Sequence, residues 1–297
     1  MPYFHAVDGT RLFYSVWGSG RPLVFVHGGN VGADCWEFQV PALVEKGFQC
    51  IVYDQRGFAK SDCPQAGYEV DTLASDLDRL LNHVRVSRCS VVAYSFGACV
   101  LARYLSRYAT GNVDKAILMA PTTPFFLKAD GNPDGADRDT AYEPFHLGMQ
   151  SDRAQLFRLS LDAFFSPTTS EHPVSDGIKE WVMRIALASP LMPMLELFRA
   201  MSEVDCRDDM RAFTMPTLII HGDRDVFAPP GCTGWRTHAL ISGSKLVMYR
   251  GASHGLFYTH HVRLNADIVA FMTASDGRGR GIDEGTFREP CEIQQVG

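Results

Sequence analysis

The 297-residue chain has no cluster of lysine and arginine, and its formal net charge is −6. Without a basic stripe to track phosphates, nucleic-acid binding is not expected. No stretch reaches about 18 uninterrupted apolar residues, so no membrane span is expected either. The opening residues, "MPYFHAVDGTRLFYSVWG", lack a basic start, an apolar run and a small-residue cleavage site. No secretory leader is read there, and a cytoplasmic location is expected. The eight cysteines are scattered without any CxxC spacing, which removes the usual thiol patterns of metal and redox sites. In a reducing compartment they are expected to act mostly as small buried hydrophobes. No metal and no cofactor are expected.

What is present is the composition of a globular protein with a packed core. Hydrophobic residues make up 46% and charged residues 21%, close to globular averages. The length suits one large α/β domain with an insertion. Residues 3–17 alternate in character around Asp8-Gly9, the signature of an antiparallel hairpin. Apolar runs then recur: "PLVFVHGG", "FQCIVYD", "CSVVAYS", "KAILMAP", "PTLIIHGD" and "KLVMYRGASH". Runs without polar alternation fit a parallel sheet covered on both faces. Between them lie helical patterns such as "TLASDLDRLLNHVRV", and the alternation predicts a doubly wound α/β sheet.

The rhythm breaks between about 122 and 212, a gap far longer than one crossover helix needs. Its first part, "KADGNPDGADRDTAYEP", is rich in Gly, Pro and Asp and reads as a mobile loop. From about Ser151 to Met210 helical patterns with bulky apolar residues follow. Residues 1–121 and 213–273 are thus expected to form the main domain and 122–212 a helical cap. The tail 274–297 has little apolar content and is expected to be disordered.

The chemistry centres on "VVAYSFGACV". A strand ending in small-x-Ser-x-Gly and opening into a helix is the context of a nucleophile elbow. Small residues at the first and last places are a steric demand, because strand and helix backbones pass close there. Ala93 stands where glycine is usual, one methyl larger, and Gly97 keeps the smallest residue on the helix side. A serine at its free pKa needs a base, itself oriented by an acid. "LIIHGDRDVFAPP" supplies Asp223 and Asp225, and "LVMYRGASHGLF" supplies His254. Asp225 is the preferred acid, since Asp223 is nearer the strand end and suits a turn role. His221 reads as structural, and His260 and His261 as a solvated first helical turn. "VFVHGGN" offers an oxyanion loop: the backbone N–H groups of Gly29 and Phe96 are the candidate donors, with His27 holding the loop. Asp54 and Arg56 of "YDQRGFAKSD" are read as loop structure.

Together "VFVHGG", "YDQRGFAKSD", "AYSFGA", "LIIHGDRD" and "GASHG" resemble the α/β-hydrolase superfamily, in its cofactor-free chloroperoxidase and esterase branch. The resemblance covers roughly residues 3–273. It implies a mostly parallel eight-stranded sheet with a cap inserted after the sixth strand, and a triad of Ser95, Asp225 and His254. A serine nucleophile argues against chemistry that needs a carboxylate at that position. The expected activity is hydrolysis of a hydrophobic ester, lactone or thioester through an acyl-enzyme, with peracid formation as a side activity of the branch. Hydrolysis of a C–C bond next to a ketone, a cyclase or lyase reaction, and a non-catalytic ligand binder remain the alternatives. The cap should line the substrate pocket with Phe125, Phe126, Phe145, Phe164, Phe165, Trp181, Met192, Met194 and Phe198, about half of which would simply pack. Tyr94 has two readings, a donor to a substrate oxygen or packing beneath the oxyanion loop.

Overall fold

The computed structural model describes residues 2–109, 111–165 and 173–274. Asp8-Gly9 turns β1 (Tyr3–His5) back on β2 (Arg11–Trp17) as an antiparallel pair. β3 (Arg21–Val26), β4 (Phe48–Tyr53), β5 (Cys89–Tyr94), β6 (Val113–Met119), β7 (Thr217–Gly222) and β8 (Lys245–Tyr249) follow. The sheet order is β1-β2-β4-β3-β5-β6-β7-β8, with β2 antiparallel to β4 and every pair from β4 to β8 parallel. This is the doubly wound, mostly parallel eight-stranded sheet of the expectation. Every residue of β5 and β7 is buried, which is why these runs carry no polar alternation.

The helices are α1 (Gln39–Glu45), α2 (Val70–His83), α3 (Gly97–Arg107), α4 (Glu143–Phe165), α5 (Asp176–Ala188), α6 (Leu191–Glu203), α7 (Gly234–Leu240), α8 (Leu256–Thr259) and α9 (His261–Thr273). α2 buries Leu73, Leu77, Leu80 and Leu81 on one face and carries Asp71 in its first turn, where a negative charge meets the helix dipole favourably. One apolar cluster packs Leu77, Leu80 and Val100 against Val24, Val91 and Leu118. A second packs Leu43, Leu264 and Phe271 against Phe25, Val92 and Ile220. β5 lies between β3 and β6 with Ala93 opposite both Val26 and Leu118. Its carboxyl end therefore meets the crevice edge where open α/β sheets bind ligands.

The segment between β6 and β7 holds α4, α5 and α6. α4 begins at Glu143, earlier than its apolar pattern suggested, and its backbone leaves helical geometry at Asp152. The acidic stretch read as a mobile loop is pinned instead. Asn132 is fully buried; its amide donates to the carbonyls of Leu127 and Phe125, and its oxygen accepts from Arg236. Composition alone hides such an anchor, because one buried amide satisfies the turn's backbone in a stretch otherwise rich in Gly, Pro and Asp. The expected tail lies outside the described residues from 275 onward. Among the described residues no single helix is long and apolar enough to cross a membrane. Of the free cysteines Cys35, Cys50, Cys63, Cys89, Cys99 and Cys206, all but Cys63 are buried.

Arg56 locks the loop after β4. Its guanidinium bonds Asp76 of α2 through two nitrogens, at 2.7 and 2.8 Å, and reaches Asp8 of the first hairpin at 2.8 Å. Arg56 and Asp76 are both buried. Removing one partner of such a pair leaves an unpaired buried charge, so Asp76→Ala should lower unfolding free energy by about 3–5 kcal/mol in denaturant titrations.

Candidate active site

Ser95 occupies the turn from β5 into α3 with φ +52°, a left-handed backbone that disfavours side chains. Three hydrogen bonds hold it there. The Ser95 amide donates to the Met119 carbonyl at 2.9 Å, and the Ser95 carbonyl accepts from Ala98 and Thr122. Gly97 has its steric reason: a Cβ there would stand 2.5 Å from the Val26 carbonyl oxygen. Ala93 is buried in the apolar cluster between β3 and β6, so its methyl is accommodated there.

His254 lies five residues beyond β8, in the loop leading to α8. Its Nε2 is 3.0 Å from Ser95 Oγ and its Nδ1 2.7 Å from Asp225 Oδ2. A carboxylate only accepts, so Nδ1 carries the proton and Nε2 presents its lone pair to the serine hydroxyl. Asp225 Oδ1 accepts from the amides of Phe227 and Ala228, each at 2.9 Å. Burial opposes its ionisation, but His254 and His221 outweigh that and hold the carboxyl well below the ordinary carboxylate range. Asp223 lies elsewhere, with its carboxylate accepting from the Gly251 amide. The structure thus joins Ser95, His254 and Asp225 in one hydrogen-bonded chain.

His221 is fully buried beneath this chain. Its Nε2 donates to the Ala228 carbonyl at 2.8 Å and lies 3.2 Å from Asp225 Oδ2. His260 departs from its expected solvated place: it is buried, with its ring against Tyr249 and Nδ1 at 2.8 Å from Thr259 Oγ1. His261 stacks on Phe38. His261 is half-buried and Val262 and Arg263 beyond it are exposed, so the first turn of α9 is solvated on its outer side while His260 turns inward.

The loop after β3 passes over the elbow. A Cβ on Gly28 would fall 2.8 Å from Ser95 Cβ, and Gly29 shares a cavity wall with Ser95. Phe96 follows Ser95 at the start of α3 and is fully buried. His27 fixes the loop: Nδ1 donates to the Gly28 carbonyl at 2.7 Å, and Nε2 accepts from the Gln55 amide at 2.9 Å. Asp54 accepts from the amides of Ala33 and Lys60, which ties the neighbouring loop to the same edge.

Above Ser95 opens a cavity of about 400 Å³. Tyr94, Phe126, Phe145, Phe164, Met194 and Phe198 line it, as expected for some of the aromatic and methionine set. Phe125, Phe165, Trp181 and Met192 are not among the residues that line it. Phe125 lies under the Arg207 guanidinium, Phe165 and Trp181 pack on Tyr258, and Met192 is 65% exposed. A residue's place in an apolar insert does not reveal which helix face it occupies. Tyr94 donates its hydroxyl to the His254 carbonyl at 3.2 Å, so that group supports the histidine loop and its ring forms wall. The reading from sequence missed Phe227, whose ring faces His254, and Leu156, Phe157 and Ser160 on α4. For Leu156 and Ser160 the signal was present in "AQLFRLSLDAFF": positions 156, 160 and 164 share one helical face. Among the described residues no Lys, Arg, Asp or Glu lines the cavity. Among the described residues no group of three or more His, Cys, Asp or Glu is arranged to hold a metal.

The sequence profile of the alpha/beta hydrolase fold matches residues 21–261. The chain belongs to the α/β-hydrolase family. It is 33% identical to the non-heme chloroperoxidase CPO-A1 of Kitasatospora aureofaciens, over 92% of this chain and 99% of that protein. A bromoperoxidase from Bacillus anthracis has a similar structure, with TM-score 0.87 and 34% identity over 92% of this chain and 100% of that one. The esterase EaEST from Exiguobacterium antarcticum follows at TM-score 0.85 and 28% identity, over 92% and 99%. The hydrolase therefore falls in the non-haem haloperoxidase and esterase branch.

His27 makes the loop after β3 sensitive to acid. Burial pushes its pKa from the ordinary 6.5 down to about 4, against the raising effect of its bond to Gly28. Between those values the unfolded chain binds a proton that the folded one refuses. The stabilisation is complete above about pH 6.5 and is lost as the pH falls to about 4, on the order of 3 kcal/mol. Urea unfolding from pH 7 to pH 4 should show that loss, and His27→Gln should flatten the curve.

Proposed function

We propose that this hydrolase cleaves neutral, hydrophobic carboxylic esters, lactones or thioesters through an acyl-enzyme on Ser95. One observation carries the reading: the Ser95–His254–Asp225 chain opens into a cavity that, among the described residues, no Lys, Arg, Asp or Glu lines. His254 Nε2 takes the Ser95 hydroxyl proton while Oγ attacks the carbonyl carbon. The imidazolium that forms is stabilised by Asp225. The amides of Gly29 and Phe96 hold the oxyanion, aimed at charge that exists only in the transition state. His254 then gives its proton to the leaving oxygen or sulfur. A water loses a proton to the same nitrogen, attacks the acyl carbon and releases the acid. Residues 122–212 act as the cap of the site, with α4 and α6 forming most of the acyl-facing wall. Peroxide in place of water would leave a peracid, a second reading favoured by the similarity to a chloroperoxidase. The intact hydrogen-bonded chain counts against a non-catalytic binder.

Ser95→Ala should abolish labelling by a fluorophosphonate and lower kcat on neutral aryl esters by at least roughly 10³-fold. Asp225→Asn should keep the fold and lower kcat by roughly 10³–10⁴-fold, because the wrong tautomer of His254 then faces the serine. Wild-type labelling and turnover by Ser95→Ala would sink the reading.

The cavity sets the substrate preference. Each acyl methylene that enters it is worth about 0.8 kcal/mol, roughly a fourfold gain in kcat/KM. A straight-chain 4-nitrophenyl ester series should climb at that rate until the cavity is filled. A hemisuccinate ester of matching length should be at least roughly a hundredfold poorer, since its carboxylate would enter without a cation. Equal rates for the two would contradict an uncharged acyl site.

A further inference from the structure

We infer that Ser253 is a positioning residue for the reaction, holding His254 in register by fastening its loop to the carboxyl end of α4. The inference rests on the reading of Ser95 and His254 as nucleophile and base.

A helix leaves its last four carbonyls without partners inside the helix. In α4, which ends at Phe165, two of these accept from the residues on either side of His254. Ser253 Oγ donates to the Ala163 carbonyl at 2.5 Å, and the Gly255 amide donates to the Phe164 carbonyl at 2.7 Å. Ser253 is fully buried, so its hydroxyl has no solvent to turn to. From below, the Tyr94 hydroxyl holds the carbonyl of His254 itself. The Ala252 carbonyl accepts from the Arg224 amide, next to Asp225. The loop from 252 to 255 carries no sheet ladder of its own, since β8 ends at Tyr249. Its place is set by these outside partners.

The packing agrees. The Phe164 ring meets the His254 ring edge-on, with centroids 6.0 Å apart. A Cβ on Gly255 would stand 2.7 Å from Phe164 Cε1 and 2.8 Å from the Phe164 carbonyl oxygen. The same helix carries Leu156, Phe157 and Ser160 on the cavity wall. One rigid element thus touches the acyl group and fixes the base. Imidazole at 3.0 Å from Ser95 Oγ is productive, and displacement of the loop by a fraction of an ångström costs rate rather than binding. The effect of losing the Ser253 bond therefore falls on kcat.

The test uses the full chain, 4-nitrophenyl acetate and a fluorophosphonate that labels Ser95. Wild type must first hydrolyse the ester and be labelled; failure there defeats the functional reading and not the clamp. Ser253→Ala should then lower kcat about tenfold and slow labelling in parallel, with KM within twofold. Ser253→Thr, which keeps the hydroxyl, should return kcat to within threefold of wild type. Gly255→Ala is the second probe, independent of whether Ser253→Ala folds: its methyl wedges the loop from Phe164 and should lower kcat at least as far, again with KM within twofold. Near-UV circular dichroism establishes which variants are folded. A folded Ser253→Ala or Gly255→Ala with kcat within twofold of wild type overturns the proposal. So does a loss confined to KM, or a Ser253→Thr that restores nothing.

Discussion

The active edge depends on a backbone held where its side chain resists. Ser95 at φ +52° is a conformation that costs of order 1–3 kcal/mol and persists only if its surroundings over-determine it. Here they do. The Ser95 amide reaches across to Met119 of the next strand, its carbonyl takes the Thr122 amide, and Gly97 admits the Val26 carbonyl where any larger residue would push it away. β3, β5 and β6 end at the same level, and the sheet itself forces the turn. The hydroxyl is lifted out of the core because the chain has nowhere else to put it.

The second demand is to keep an anion under a dry imidazole. Asp225 is buried, yet two backbone amides, His254 and His221 all face its oxygens. Four partners make a carboxylate affordable where an isolated one would take up a proton. Under the proposed chemistry the acid never needs to change its charge: the proton passes only between His254 and the oxygen of Ser95, the leaving group or the attacking water. His27 solves a parallel problem in the opposite sense, as a buried ring used for its two hydrogen bonds and kept from charging.

Much of this was legible in the residues. Unbroken apolar runs located β3 to β8 to within a few residues, since a sheet covered on both faces leaves no polar signature to confuse. The order of "AYSFGA", "LIIHGDRD" and "GASHG" brought Ser95, Asp225 and His254 to one edge, because each motif ends or closely follows a strand of that sheet. The cavity wall was less legible. Phe126, Phe145, Phe164, Met194 and Phe198 reach it, while Phe125 and Trp181 face Arg207 and Tyr258. Apolar identity tells that a side chain leaves water, not which partner receives it. The acidic stretch was misjudged for the reverse reason: one Asn132 and one Arg236, far apart in the chain, order a segment whose composition argues for freedom. Ser253 was invisible, as its partner is a carbonyl that only the end of α4 exposes.

The uncharged wall above Ser95 has a further bearing on the catalytic cycle under the proposed chemistry. The substrate enters neutral and one product leaves as an anion. With no Lys or Arg among the described residues of the wall, the nascent carboxylate meets Asp225 behind His254 and apolar rings on the other sides. Beyond the Gly29 and Phe96 amides it loses hydration without gaining a charged partner. Release of the acid is then driven by the same surface that recruited the ester, so product should not accumulate on the enzyme, and the reverse reaction, acylation by a free acid, begins with an uphill step of desolvation.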